Sequence, residues 1–346
     1  MAFANRLTFC TVLAGLSLTS ANAQWYAFDI HPGGNGQSAA YGGRGDLMVG
    51  FVDPTNNIQY LGEMWVNGAA QDLVPAGSTK TLLRRTDGTD IVGYGTFNGV
   101  QCATAWFGQG ILWANLAPRR SVASALYDLD AGRQVGYYRN STGGNMAAIW
   151  SGTASSVVNL HPGGMYTDSY ARGISGNIQV GAATTAGHEH AGRWYNTSST
   201  FLDMQPSGFN SSIATDVDGD LACGFAFDNS YGVFDDGTQA HYWDAVTGTP
   251  TNIHPGGFST SKAYGINSGL AVGYMCESGG NPRAVLWNIR SGTLIDLQTV
   301  LDNYSPFYTG SVALDVWYEG DYVKVCGYGV DLWSNQAHAV MWVGLL

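Results

Sequence analysis

One short stretch recurs seven times along this chain, an Asp or Asn followed by an apolar residue, and six of its copies carry a proline three positions after the Asp or Asn. Three copies are nearly identical: Asp29-Ile30-His31-Pro32-Gly33-Gly34, Asn159-Leu160-His161-Pro162-Gly163-Gly164 and Asn252-Ile253-His254-Pro255-Gly256-Gly257. Asp72-Leu73-Val74-Pro75, Asn115-Leu116-Ala117-Pro118 and Asp203-Met204-Gln205-Pro206 are weaker, and Asp296-Leu297-Gln298-Thr299 has lost its proline. The starts fall at 29, 72, 115, 159, 203, 252 and 296, so the steps are 43, 43, 44, 44, 49 and 44 residues. A period of this size marks a repeat architecture, in which each copy buries its apolar face only against its neighbours.

Three further landmarks keep register inside each period. A glycine turn follows a small or apolar stretch, at Gly45, Gly88, Gly132, Gly176, Gly219, Gly269 and Gly320. An apolar residue, a glycine and usually an aromatic come next, as in Val49-Gly50-Phe51, Val92-Gly93-Tyr94 and Val272-Gly273-Tyr274. A tryptophan closes the set, at Trp65, Trp106, Trp150, Trp194, Trp243, Trp287 and Trp342. The unit reads as four short strands, a to d, separated by Gly-containing turns. Strand b carries the glycine, c the tryptophan, and d ends at the Asp or Asn.

The first d strand, Trp25 to Ile30, precedes every a strand, and the last c strand has no d strand after it. The N-terminal strand is therefore expected to complete the last sheet and close a ring, which hides strand edges. The predicted fold is all-β: a seven-bladed β-propeller over 24–346.

Residues 1–23 read as a secretory leader, with Arg6, an apolar run from Leu7 to Leu18 and Ala21-Asn22-Ala23 as cleavage site. Gln24 follows where a lipid-anchored protein needs cysteine, so a secreted protein, extracellular or periplasmic, is expected. Without the leader, 14 Lys plus Arg face 26 Asp plus Glu, a formal charge of −12. An acidic chain with no basic run argues against nucleic acid and against anionic lipid as partners. No stretch after the leader is apolar enough to span a membrane, and a monomer is expected. Cys102, Cys223, Cys276 and Cys326 lack metal-binding spacing and permit three disulfide pairings or buried free thiols.

The pattern Ala263-Tyr264-Gly265-Ile266-Asn267, Val272-Gly273-Tyr274 and His338-Ala339-Val340-Met341-Trp342 resembles the extracellular HAF-repeat proteins, secreted bacterial proteins of β-propeller type. His190-Ala191-Gly192-Arg193-Trp194 is a second clear copy, while Leu61, Cys102, Met146, Gln239 and Arg283 replace the name-giving histidine elsewhere. The resemblance implies secretion and a repeat fold, and carries no catalytic residues.

Candidate site residues lie on the face bearing the d–a and b–c loops. His31, His161 and His254, assigned to blades seven, three and six, read either as donors to a sugar, anion or metal or as turn residues capping a strand. His188 and His190 share one strand face, with Glu189 on the other, but spacing supplies no third ligand and no metal site is assigned. Asp216-Val217-Asp218-Gly219-Asp220 resembles the start of a calcium loop without its distal Glu; hairpin chemistry explains it, so no cofactor is expected and calcium is the one ion with a candidate. Arg44-Gly45-Asp46 sits on the equivalent turn. The b–c insertion of blade five offers Asp228, Tyr231, Asp235 and Asp236, and the loop before blade seven offers Tyr304 and Tyr308, aromatics beside carboxylates as in carbohydrate contacts. No nucleophile elbow, zinc-protease, phosphate-loop or dinucleotide signature is present. Two functions follow: a binding or scaffold module for glycan or another extracellular surface component, or a polysaccharide lyase or glycoside hydrolase using His, Tyr and Arg from several loops.

Overall fold

A computed structural model describes residues 24–34, 36–55, 59–228 and 237–346. They form seven four-stranded antiparallel sheets, each built from strands in the order a-b-c-d. Blade one comprises Gln37–Arg44, Leu47–Asp53, Leu61–Val66 and Ala69–Asp72; the a strands of blades two to seven are Ser78–Thr86, Ser121–Asp130, Tyr166–Ser175, Ser211–Asp218, Thr260–Asn267 and Tyr308–Glu319. In blade seven the outer position is taken by Trp25–Asp29, paired with Ala337–Leu345 from Trp25↔Gly344 to Asp29↔Val340. The seven-bladed β-propeller and its N-terminal latch strand are thus as the sequence predicts.

The landmarks have physical explanations. Every a–b pairing slips by one residue at the same place, for example between Leu83 and Arg85 and between Leu126 and Asp128. Beside this bulge a Cβ on the strand b glycine would meet the strand a carbonyl: 1.9 Å from Ala39 O for Gly50, and 1.8 to 2.0 Å for its six equivalents. Only glycine fits there. The seven repeat tryptophans are at most 5% exposed, and three of them reach across a blade boundary. Trp65, Trp243 and Trp342 donate their indole N–H to the carbonyls of Ile30, Met204 and Leu297, at 2.9 to 3.0 Å. Each acceptor is the apolar residue after the Asp or Asn of the preceding blade, whereas the indole N–H groups of Trp150, Trp194 and Trp287 are buried without a hydrogen-bond partner.

The Asp or Asn itself makes a local turn. Asp29, Asn115, Asn159, Asp203 and Asn252 each accept the backbone N–H two residues on, at 2.7 to 2.9 Å. Where the proline is missing, Asp296 caps a helix instead: its carboxylate accepts Thr299 N–H at 3.1 Å, and Leu297–Tyr304 is helical. The lengthened connection before blade seven is this helix. Among the described residues no helix is long and apolar enough to cross a membrane. Among the described residues no disulfide is formed: Cys102, Cys223 and Cys326 are buried and Cys276 is half-buried.

Candidate functional site

The centre of the ring is identified by one side chain. Arg85, on strand a of blade two, pairs with Asp128 of blade three at 3.4 Å, with Asp216 of blade five at 2.7 Å and with Asp315 of blade seven. A group in contact with blades three, five and seven at once lies on the axis. The three carboxylates also accept backbone N–H groups of the next blade: Ile174 (2.8 Å), Ile266 (2.9 Å) and Gly43 (2.9 Å). Burial lifts Asp128 to about 6 and Asp216 to about 7, against the opposing pull of Arg85. The aspartate that resembled the start of a calcium loop is therefore part of an axial plug, near the a–b turns.

The loop histidines are structural clamps. Ser169 Oγ accepts the N–H of Ala147 in the preceding blade (2.9 Å) and meets His161 Nδ1 (2.9 Å). Ser38 with His31, and Ser261 with His254, repeat the arrangement. His254 Nε2 lies 3.0 Å from the Phe258 carbonyl, which only accepts, so Nε2 carries the proton and Nδ1 receives the seryl hydrogen. Gln205 reproduces both halves, its Oε1 accepting from Ser212 and its Nε2 donating to Phe209 O at 2.7 Å. A glutamine thus substitutes for the ring without loss of either bond, as a turn and capping residue would allow. His254 also follows the outer strand of blade five, not six, because Pro250–Asn252 pairs with Gln239–Asp244.

Burial pushes His31 and His161 below the usual imidazole value. A depressed histidine stabilises the fold above its unfolded pKa of about 6.5, and that contribution is lost as pH falls through the folded value. His161→Gln is expected to keep stability within about 0.5 kcal/mol at pH 8 and to lose less than wild type on acidification. His161→Ala is expected to cost about 1–2 kcal/mol at pH 8. Urea unfolding at both pH values checks this; equal acid sensitivity of wild type and the Gln variant would contradict it.

The histidine of the HAF pattern has a different partner. His190 Nδ1 lies 2.8 Å from Asp203 and Arg283 Nη2 2.6 Å from Asp296, each across the c–d strand pair of its blade, and His338 Nδ1 faces Asp29 at 3.9 Å. Where the c residue is neutral, as with Gln239 or Met146, the d residue is Asn252 or Asn159. Blade one departs from this rule: Asp72 bonds instead to Glu63, whose carboxyl burial and Asp72 push up to about 8.

The remaining candidates separate. Tyr308 is buried and donates to Asp29 at 2.7 Å, while Tyr304, exposed, packs near Phe28 at 6.4 Å. Tyr308 opens the inner strand of blade seven and Tyr304 ends the helix before it, and both reach the latch strand. His188 lies on the c strand of blade four with His190, and no group of three or more His, Cys, Asp or Glu among the described residues could hold a metal. Asp228 accepts Asn210 N–H at 3.0 Å, pinning the start of blade five; Tyr231, Asp235 and Asp236 lie outside the described residues. Arg44-Gly45-Asp46 is tied into the ring closure, with Gly45 O accepting from Trp317 (3.0 Å) and Asp46 paired with the buried Lys324 (3.1 Å).

Of the candidates, Glu189 does line an open site. A groove of about 520 Å³ between blades four and five, on the face of the b–c turns, is bounded by Asp168, Tyr170, Thr184, Glu189, Ser211 and Phe227. Asp168 Oδ1 is fixed by Asn145 N (2.9 Å) and Asn145 Nδ2 (3.3 Å). Asn145 Nδ2 also reaches the Tyr170 hydroxyl, and Ser211 Oγ is buried without a hydrogen-bond partner. Asp168 and Tyr170 escape a reading from repeats because they occupy register positions where the copies differ; a charged residue at the start of an otherwise small and apolar a strand is the available signal.

No family model matches the chain, and no curated protein matches it. Solved structures do. The β-propeller domain of the Trilobed protease from Pyrococcus furiosus is 10% identical with a TM-score of 0.57, over 89% of this chain and 95% of that one. An oligogalacturonate lyase in complex with manganese is 7% identical with a TM-score of 0.54, over 94% and 97%. A puromycin-hydrolyzing peptidase from Mycobacterium tuberculosis is 13% identical with a TM-score of 0.55, over 89% and 55%. What they share with this chain is the propeller. The chain spans about half the length of the puromycin-hydrolysing enzymes it matches.

Proposed function

We propose that the protein is a secreted propeller that binds an extracellular glycan in the groove between blades four and five. The carrying observation is the groove's chemistry: the aromatic rings of Tyr170 and Phe227 beside the carboxylates of Asp168 and Glu189. Sugar rings present apolar C–H faces that pack on aromatic surface and hydroxyls that donate to carboxylates, so this pairing suits them. Asp168 is held in place before any ligand arrives, which lowers the ordering cost of binding. The leader-like residues 1–23 and the resemblance to HAF-repeat proteins support a location outside the cell.

One observation favours a second reading. Asp168 and Glu189 flank one groove, and glycoside hydrolysis uses a pair of carboxyl groups. A panel of neutral and acidic polysaccharides, assayed for retention and for new reducing or unsaturated ends, tests both readings. Retention without turnover is expected, weakened at least about tenfold, or 1.4 kcal/mol, by Asp168→Ala and by Glu189→Ala. Turnover abolished by either variant would replace binding with hydrolysis or lyase chemistry. Retention untouched by both variants, or none at all, would overturn the groove assignment.

A further inference from the structure

We infer that the axial channel above the Arg85 plug holds an anion site, formed by Arg84 and Arg172, that recognises the carboxylate of an acidic sugar. This rests on the glycan reading above and names the sugar class. The bulge in strand a brings two consecutive residues of each blade toward the axis at different levels. Arg85, Asp128, Asp216 and Asp315 form the lower level, and Arg84, Tyr127, Thr215 and Leu314 are the residues directly before them, nearer the groove. Tyr41, Arg172 and Tyr264 are the equivalents in the other three blades, and all seven upper residues are partly exposed, so solvent reaches the axis at this level.

Charge at the two levels is opposite. Below, one guanidinium meets three carboxylates. Above, two guanidinium groups meet none: among the described residues neither Arg84 nor Arg172 makes an ion pair, and the Nε of each is buried without a hydrogen-bond partner. The chain has 26 acidic residues to 15 Lys plus Arg, so acidic partners are not scarce. Both arginines instead lie over tyrosines. Arg84 Cζ is 4.8 Å from the Tyr41 ring and 5.7 Å from Tyr127; Arg172 Cζ is 5.4 Å from Tyr127 and 5.8 Å from Tyr170. Stacking on a ring face holds a guanidinium in place while leaving its N–H edge for a planar, bidentate acceptor, which a carboxylate is. Tyr170 belongs to this stack and to the wall of the groove. A sugar chain lying in the groove therefore meets the arginines at its axial end, where a uronate residue supplies the carboxylate.

The test is calorimetric titration of the full chain with glucuronate oligomers, neutral glucan oligomers of equal length and inorganic sulfate, at low and moderate salt. Uronate oligomers are expected to bind at least tenfold tighter than neutral ones and to weaken as salt rises. Arg84→Gln and Arg172→Gln should each remove most of that preference, and Lys at either position should not restore it. Should a Gln variant fail to fold, competition decides on the wild-type protein: sulfate should displace the uronate oligomer and leave a bound neutral oligomer in place. Equal affinity for uronate and neutral oligomers overturns the anion site while leaving the groove reading intact. Uronate binding that needs the arginines and ignores Asp168→Ala and Glu189→Ala keeps the anion site and removes the groove. Arginine-dependent sulfate binding with no affinity for any sugar overturns the assignment to an acidic sugar.

Discussion

Arg85→Met is expected to destabilise the ring by about 3–5 kcal/mol near pH 7, because it leaves buried carboxylates without their cation. The gap from wild type should narrow as pH falls toward 4. Asp128 and Asp216 already sit at about 6 and about 7 with Arg85 in place. Carboxyls raised above their unfolded value stabilise the fold at low pH, and that contribution is lost as pH rises through the folded values. Removing the arginine raises them further, so the variant folds best where Asp128 and Asp216 are protonated. Urea unfolding of both proteins from pH 4 to pH 8 measures the gap; a small loss that does not vary with pH would show that Arg85 is not the counter-charge. Converting the whole plug to apolar residues is no remedy, since each aspartate also satisfies a backbone N–H of the following blade.

Removal of 25–30 should have an effect of similar or larger size. The deletion exposes the edge of Ala337–Leu345, strips five paired residues from it, and takes away Ala27 and Ile30, both at most 8% exposed. Trp65 loses the acceptor for its indole N–H, and Tyr308 loses Asp29. Burial of a large side chain contributes about 1.5–3 kcal/mol, so the sum approaches the 5–15 kcal/mol that holds a typical domain together. The expected product is insoluble or associates through the open edge. A truncated protein that stays monomeric and unfolds at the wild-type urea concentration would show that the latch does not close the ring.

The repeated features of this fold are legible in the sequence because repetition reports whatever all blades need. The strand b glycine, the tryptophan, the Asp or Asn at the end of d and the offset first strand all hold against the structure. The histidines at 31, 161 and 254 carry the same lesson: Val74, Ala117 and Gln205 at their position mark them as replaceable, and the serine clamp shows why. What is not legible is where the copies disagree. Asp168, Tyr170, Arg84 and Arg172 occupy strand a positions whose direction depends on the bulge. Simple alternation would send Tyr127 and Asp128 to opposite faces, yet Asp128 pairs with Arg85 while Tyr127 lies under Arg84 and Arg172. The axial site is invisible until that one-residue slip is known.

The offset of the first strand also separates the unit of sequence from the unit of folding. Each copy, counted from one Asp or Asn turn to the next, begins with the end of one sheet and continues into the following one. In three copies the tryptophan, Trp65, Trp243 or Trp342, bonds back to the carbonyl that opened the copy. A duplicated copy therefore cannot fold as a separate body beside the ring. It is spliced between two neighbours from the start, so a propeller of this kind can grow or shrink by whole copies while its seam stays inside a sheet, zipped by hydrogen bonds along its length.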